Sequence, residues 1–170
     1  MEQDLMRALA GLTTGIYVLT VTDGELHHGM SSSWVTQVSG EPPLFSAAVD
    51  SQHLSHSLIR RTGVFGLNVA GRRGQALEDY FYSPRAKRAD NLRDLTYELS
   101  PELRVPWLTQ AMISIEARVI DTVIAGDHTL FVAVPVGVRI RDSDRPLTSL
   151  DLDYVYVGGK SVVARDRTTW

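Results

Sequence analysis

The sequence has 170 residues, of which 44% are hydrophobic and 22% are charged, a balance typical of one globular domain with a sizeable core. It contains no cysteine, which excludes disulfide scaffolds, iron–sulfur clusters, thiolate zinc sites and cysteine nucleophiles. The formal net charge of −3 argues against general nucleic-acid binding. We find no secretory signal and no apolar run near the length of a membrane span, about 18 residues, and therefore expect a cytoplasmic protein without membrane or nucleic-acid partners.

Local patterns predict both helices and strands in the first half of the chain. Apolar spacing predicts a helix over 2–10, and β-branched and aromatic residues predict a strand over 15–22. Asp23-Gly24 is a hairpin signal, which predicts an antiparallel return over 25–33. The further predicted elements are strands at 44–50 and 64–70 and helices at 52–61 and 75–82.

The second half is richer in strand patterns. Residues 83–110 are polar and interrupted by proline, and we predict a long irregular surface excursion there. Pro135 stands inside an alternating apolar run, which predicts a bulge or an edge strand, and 126–128 supplies the turn before that run. The strands predicted in this half lie at 112–121, 130–140 and 154–157.

These elements predict a mainly β protein with flanking helices. Short strands with hairpin signals favour a closed or partly open antiparallel barrel, with helices at its edge. Strand–helix alternation is too weak for a doubly wound parallel sheet. We expect one domain over 1–160 and a loose C-terminal tail over 161–170.

The segment Gly29–Ser39 is the first candidate for chemistry. It holds many hydroxyl and amide groups, which are poor strand filler but can hydrogen bond to the edge of a heteroaromatic ring. A polar strand at the barrel rim, with no ligand, explains the same composition.

The junction between the strand at 44–50 and the helix after it is the second candidate. Ser51 is placed to cap that helix, whose free N–H groups would attract phosphate or carboxylate. His53 and His56 stand three residues apart, but they have no acidic partner beyond Asp50, and we expect no metal site. An ordinary helix cap with surface histidines is the alternative.

Two further features complete the candidates. His128 follows a tight turn at the barrel mouth, where it can donate a proton, stack on a ligand or simply form the turn. Basic side chains cluster between positions 72 and 93, and they either face a ligand phosphate or form a solvated surface. The sequence has no dinucleotide fingerprint, P-loop, nucleophile elbow or HExxH motif.

Six segments in this order resemble the flavin reductase-like family of split-barrel FMN-binding domains. They are Leu12–Thr20, Gly29–Ser39, Pro42–Leu44, Phe65–Val69, Gln75–Phe81 and Gly126–Phe131. The resemblance implies a homodimeric, six-stranded Greek-key split barrel that binds FMN, or sometimes FAD, in a groove near the dimer interface. Asn91 departs from the pattern, because many members have an aromatic residue there.

The resemblance also implies roles for particular residues. The segment that lines the isoalloxazine ring in the family matches Ser31, Ser32, Ser33, Thr36, Gln37 and Val38. The segment near the phosphate end matches Asp50, Ser51, His53 and His56, and Arg85, Lys87 or Arg88 would complete that phosphate site. The histidine that matches His128 lies near the flavin, where the nicotinamide stacks.

The function implied is reduction of the flavin by NADH or NADPH, with hydride transfer to flavin N5. Reduced flavin would then leave for a partner monooxygenase, or stay bound and pass electrons on. Two alternatives remain open at this point: an electron-transfer flavoprotein that takes electrons from another protein, and a non-catalytic flavin-binding module.

Overall fold

The computed structural model describes residues 2–141, 143–159 and 161–164. The helices are α1 (Glu2–Ala10), α2 (Leu54–Thr62) and α3 (Gln75–Tyr82), with short 3-10 turns at Arg72–Gly74 and Pro84–Lys87. The strands of the first half are β1 (Tyr17–Asp23), β2 (Leu26–Ser32), β3 (Val35–Gly40), β4 (Pro43–Asp50) and β5 (Val64–Val69). Those of the second half are β6 (Tyr97–Leu99), β7 (Pro106–Leu108), β8 (Ile113–Ala125), β9 (His128–Ile140), β10 (Tyr154–Gly158) and β11 (Ser161–Ala164). The prediction of a mainly β protein with flanking helices is confirmed.

Seven strands form one antiparallel sheet in the order β2-β1-β5-β8-β9-β4-β3. The two edge strands, β2 and β3, are consecutive in the chain and are joined only by Ser33 and Trp34. Because so short a link spans at most about 10 Å, the sheet curls until its edges approach each other. The result is a barrel split between β2 and β3, with one strand more than the six expected.

The barrel core is built from side chains that alternate inward along the strands. Phe65 and Phe131 are completely buried there. Helix α2 contacts β1, β2 and β4, and it adds Leu58 and Ile59 to the same core. Burying each such side chain stabilises the fold by about 1.5–3 kcal/mol, which holds α2 against the split. None of the helices in the described ranges is long and apolar enough to cross a membrane.

The excursion at 83–110 differs from the prediction. Strands β6 and β7 pair antiparallel within it, and Leu92 and Leu108 are completely buried against Val18 and Leu77. The prediction of an irregular surface segment is therefore wrong for much of this region. Its apolar residues are too scattered to show a period, and they are buried only because distant segments pack on them.

Three other local predictions have definite outcomes. The Asp23-Gly24 turn and the bulge beside Pro135 are confirmed, since Glu116 pairs with Gly137 while the next residue pairs with Pro135. The prediction that Ser51 caps α2 is wrong, because the cap is His53, whose Nδ1 accepts a hydrogen bond from the Ser55 N–H at 3.1 Å.

The predicted loose tail differs from the structure in its first part. Residues 161–164 form β11, which pairs antiparallel with β10 through ordinary backbone hydrogen bonding. Residues 165–170, the rest of that predicted tail, lie outside the described residues.

Candidate functional site

A cavity of about 270 Å³ opens beside the split between β2 and β3. The strand link brings hydroxyl groups to it, α3 and β10 close one side, and the β4–α2 junction closes the other. Its lining includes Ser31, Ser32, Ser33, Trp34, Asp50, His53, Glu78, Tyr82, His128, Tyr154 and Tyr156. With Thr14 and Ile16, which also line it, the fold assembles one site from six separate stretches of sequence.

One side of the cavity, the aromatic wall, consists of Trp34, His128 and Tyr156. The ring centroids of Trp34 and His128 lie 4.8 Å apart, and those of Trp34 and Tyr156 lie 5.3 Å apart. The β4–β9 register places Asp50 opposite His128, which brings the histidine to the cavity from the start of β9. Rings at these separations offer apolar surface against which a planar ligand can pack.

The ring of His128 is held in one orientation. Its Nδ1 lies 2.7 Å from Oδ1 of Asp127, and the side chain is almost completely buried. Because the carboxylate only accepts hydrogen bonds, Nδ1 carries the proton and Nε2 remains for a ligand. The same hydrogen bond lowers the pKa of Asp127 below its usual range.

A second part of the lining, the carboxyl wall, consists of Ser31, Glu78 and Tyr154. The Ser31 hydroxyl donates to Glu78 Oε2 at 2.6 Å, and the Tyr154 hydroxyl donates to Oε1 at 3.3 Å. Burial raises the pKa of Glu78, although these two hydrogen bonds act in the opposite direction. Burial also raises the pKa of Tyr154, whose ring packs edge-on against Tyr82.

The two histidines of the β4–α2 junction face different surroundings. His53 lines the cavity, and its ring centroid lies 5.7 Å from that of His28. Burial lowers the pKa of both rings, and their mutual repulsion lowers that of His53 further. His56 instead donates to or accepts from the Thr129 hydroxyl at 2.8 Å and packs on Phe131. Since His53 and His56 do not converge, this pair forms no chelate.

The structure brings six of the predicted site residues together and leaves eight outside the cavity. Those that line it are Ser31, Ser32, Ser33, Asp50, His53 and His128. Those outside its lining are Thr36, Gln37, Val38, Ser51, His56, Arg85, Lys87 and Arg88.

The residues outside the cavity have definite places. Thr36, Gln37 and Val38 are exposed on the edge strand β3. Arg85 stacks over the ring of Tyr80, and Arg88 pairs with Asp94. Ala86, between Arg85 and Lys87, lines the cavity, whereas the side chains of Arg85, Lys87 and Arg88 are not part of its lining.

Sequence reasoning missed part of both walls. Trp34 lay within the recognised Gly29–Ser39 segment but was not singled out, and Tyr154 and Tyr156 were treated only as strand residues. Glu78 resembled a solvent-facing helical charge. Its spacing of three and four residues from Phe81 and Tyr82 was the available signal, because it places the carboxyl on an aromatic helix face.

Comparison with known proteins decides the family. A model of the flavin reductase like domain matches residues 8–160, nearly the whole chain. The chain belongs to the flavin reductase like domain family. The resemblance seen in the sequence is thus confirmed.

Individual relatives agree with this assignment. The NADPH-flavin oxidoreductase of Streptomyces viridifaciens is 31% identical, with 98% of this chain and 89% of that protein aligned. A high molecular weight rubredoxin of Moorella thermoacetica is 27% identical over 84% of this chain, which spans 62% of that protein. The solved structure of BorF, the flavin reductase component of a bacterial two-component tryptophan halogenase, superposes with a TM-score of 0.76 at 23% identity, covering 88% of this chain and 93% of that one. The last match establishes the shared fold.

Proposed function

We propose that this protein catalyses the reduction of a flavin, FMN or FAD, by NADH or NADPH. The observation that carries the proposal is the cavity at the split of the barrel, whose lining combines the aromatic wall with the hydroxyl groups of Ser31, Ser32 and Ser33. The family membership and the similarity to an NADPH-flavin oxidoreductase support the same activity.

The cavity suits a flavin by its chemistry. Flavin has a planar ring with apolar faces and a polar edge, and such ligands bind between aromatic side chains and a few directed polar groups. Trp34, His128 and Tyr156 would pack against the ring, and Ser32 and Ser33 would hydrogen bond to polar atoms of the ligand. When bound, the flavin supplies the redox chemistry by accepting a hydride at N5 from the nicotinamide.

The protein's contribution is position and exclusion of water. Asp127 fixes the tautomer of His128, so a hydrogen-bond acceptor at Nε2 stands ready beside the aromatic wall. The tilted rings of Trp34, His128 and Tyr156 line that side of the cavity, and a flavin packed against them would displace water there and strengthen the polar contacts. Holding the nicotinamide close to the flavin ring in the correct orientation is the main catalytic effect required for hydride transfer.

The test is a titration followed by an assay on the purified protein. FMN and FAD are added while flavin fluorescence is recorded, and NADH and NADPH consumption is then followed with each flavin. Saturable quenching with nucleotide turnover supports the reductase and identifies its donor. Absence of both would overturn the proposal.

The similarity to a protein named as a rubredoxin favours a second candidate, an electron-transfer flavoprotein that receives electrons from another protein. This candidate predicts about one tightly bound flavin per chain after purification and no turnover of free flavin. A reductase that uses flavin as a substrate instead releases it, so the flavin content of the purified protein separates the two.

The proposal includes two partners. Reduced flavin would pass to a flavin-dependent oxygenase or halogenase, as supported by the similarity to BorF. A second copy of this chain would cover β3 and the β8–β9 hairpin, because Thr36, Gln37 and Val38 lie exposed outside the cavity and the hairpin exposes several isoleucines. In that homodimer the β3 residues would reach a flavin near the interface.

A further inference from the structure

Glu78 is a buried carboxyl group on the wall of the cavity. Only 2% of its surface is exposed, and its hydrogen bonds come from the hydroxyl groups of Ser31 and Tyr154. Within 2–141, 143–159 and 161–164, no arginine or lysine forms an ion pair with it. Among the described residues, the hydrogen bonds to its carboxyl group come from these two hydroxyl groups.

These hydrogen bonds determine which atoms of the carboxyl wall remain for a ligand. A hydroxyl group has one hydrogen and two lone pairs, so a hydroxyl that donates to Glu78 can only accept from a ligand. The 2.6 Å separation between Ser31 Oγ and Glu78 Oε2 is in the range of hydrogen bonds to an ionised carboxylate. The wall thus presents lone pairs of Ser31, Tyr154 and Glu78, and the neighbouring Tyr82 hydroxyl hydrogen bonds with that of Tyr154.

A row of acceptors requires a ligand group rich in donors. The edge of the oxidised isoalloxazine ring carries a single N–H among carbonyl and ring-nitrogen acceptors, and phosphate at neutral pH is chiefly an acceptor. The ribityl chain carries a hydroxyl on each of several neighbouring carbons. Charge points the same way, because Glu78 and Asp50 line the cavity while its described lining holds no lysine or arginine.

We propose that Glu78 is a positioning residue that sets the Ser31 and Tyr154 hydroxyl groups as hydrogen-bond acceptors, so that the carboxyl wall binds the ribityl chain of the flavin. This inference rests on the proposed function and adds to it a specificity for flavins that carry a polyol. The phosphate then lies away from this wall.

The test compares two flavins that share the same ring. Riboflavin carries the ribityl chain, whereas lumiflavin carries a methyl group in its place. Dissociation constants for both are measured by fluorescence quenching with the wild type and with Glu78→Gln. Glutamine donates from its amide nitrogen and so frees a hydroxyl to act as donor. We expect riboflavin to bind about tenfold more weakly to Glu78→Gln, with lumiflavin unchanged within about twofold.

A background without the hydroxyl groups serves as the matched control. In Ser31→Ala/Tyr154→Phe, no hydroxyl remains for Glu78 to orient, so adding Glu78→Gln should no longer change the ratio of riboflavin to lumiflavin affinity. If Glu78→Gln does not fold, the single variants Ser31→Ala and Tyr154→Phe provide the test. Each should bind riboflavin more weakly than the wild type does, while its affinity for lumiflavin stays unchanged.

Three results would overturn the inference. The first is an equal loss of affinity for riboflavin and for lumiflavin, which would mean that Glu78 has only a structural role. The second is an unchanged affinity of the variants for riboflavin. The third is that Glu78→Gln changes the ratio of riboflavin to lumiflavin affinity in Ser31→Ala/Tyr154→Phe as much as it does in the wild type. If the wild-type protein quenches the fluorescence of neither flavin, it does not bind flavin and the proposed function itself fails. That outcome differs from the three above, in all of which the wild type binds flavin.

Discussion

At the scale of single residues, the site depends on side chains whose polar atoms are already held by neighbours. His128 is fixed by Asp127, and Ser31 is fixed by Glu78, at separations typical of hydrogen bonds to charged groups. A site of this kind loses little conformational entropy when a ligand binds. Substitutions at such positions should therefore change the orientation of the ligand and the rate of flavin reduction more than they change the stability of the fold.

His128→Ala tests whether this histidine does more than form a turn. We expect the rate of flavin reduction at saturating nicotinamide to fall at least about tenfold, because the ring that orients the reactants is lost, while flavin affinity changes by less than about threefold. Stopped-flow kinetics and fluorescence titration measure the two quantities separately. His27→Ala is the matched control, since His27 lies outside the cavity lining and contacts Thr22 and Tyr97. Wild-type values for both quantities in His128→Ala would mean that His128 is only a turn residue.

His56 makes stability depend on pH. Burial lowers its pKa in the folded protein below the unfolded value of 6.5, so the unfolded chain binds a proton more readily. Stability is therefore full above pH 6.5 and declines as the pH falls through that value, by up to about 1.4 kcal/mol per pH unit for one proton. In His56→Gln, which retains a polar contact for Thr129 but does not titrate, this decline should be shallower. Urea unfolding at a series of pH values gives the slopes, and equal slopes in both proteins would contradict the assignment.

At the scale of secondary structure, the sequence predicted those elements whose turns, boundaries and apolar spacing are specified by neighbouring residues. The β1–β2 hairpin follows from Asp23-Gly24, and α3 has the predicted bounds because its apolar spacing and its boundaries are both local. The predicted strand at 112–121 is shorter than β8, because a bulge near Asp121 breaks the alternation on which the prediction rested. Strands β6 and β7 were missed because long-range packing, not periodicity, orders them.

The same limit applies to the candidate site. Resemblance found the β2–β3 link, but the carboxyl wall joins Ser31, Glu78 and Tyr154 from β2, α3 and β10, which no local pattern connects. Arg85, Lys87 or Arg88 was placed at the phosphate end by the resemblance and by the local excess of basic residues. Neither signal reveals that Tyr80 already engages Arg85 and that Asp94 engages Arg88.

Asn91 holds the excursion to the barrel, although its side chain belongs to no regular element. Its Oδ1 accepts from the Gly29 N–H at 2.8 Å, and its Nδ2 donates to the carbonyls of Gly29 and Ala86 at 2.7 and 2.9 Å. Asn91→Ala removes these hydrogen bonds from Gly29 of the edge strand β2 and from Ala86 of the 3-10 turn. We expect the free energy of unfolding, measured in urea, to fall by about 3 kcal/mol.

The neighbouring exposed residue provides the control for this substitution. Asp90→Ala removes only a surface pair with Arg93 and should change the free energy of unfolding by less than about 0.5 kcal/mol. A loss in Asn91→Ala no larger than that in Asp90→Ala would show that the excursion is held mainly by Leu92 and Leu108.

At the scale of the whole molecule, exposed apolar side chains along the β8–β9 hairpin need an explanation. Ile124 is 85% exposed and Ile140 is 72% exposed, and Ile120, Val123 and Val138 on the same two strands are also exposed. Ile120, Val123 and Ile124 lie close together in β8, and exposed apolar side chains that cluster in this way can mark an interaction surface. In the proposed homodimer, a second copy buries the hairpin and completes a flavin groove with the β3 residues.

Ile124→Asp tests that assembly. A carboxylate placed in an apolar interface loses its hydration without a partner, so we expect the dimer to dissociate at least about a hundredfold more readily, with the fold of each chain retained. Sedimentation equilibrium gives the dissociation constant, and circular dichroism monitors folding. Leu5→Asp, which changes an exposed apolar residue of α1 in the same way, is the matched control and should remain dimeric. If the wild-type protein sediments as a monomer, or if Ile124→Asp stays as dimeric as Leu5→Asp, the hairpin is not the interface. In that case the β3 residues cannot reach a flavin bound by a partner chain through this surface.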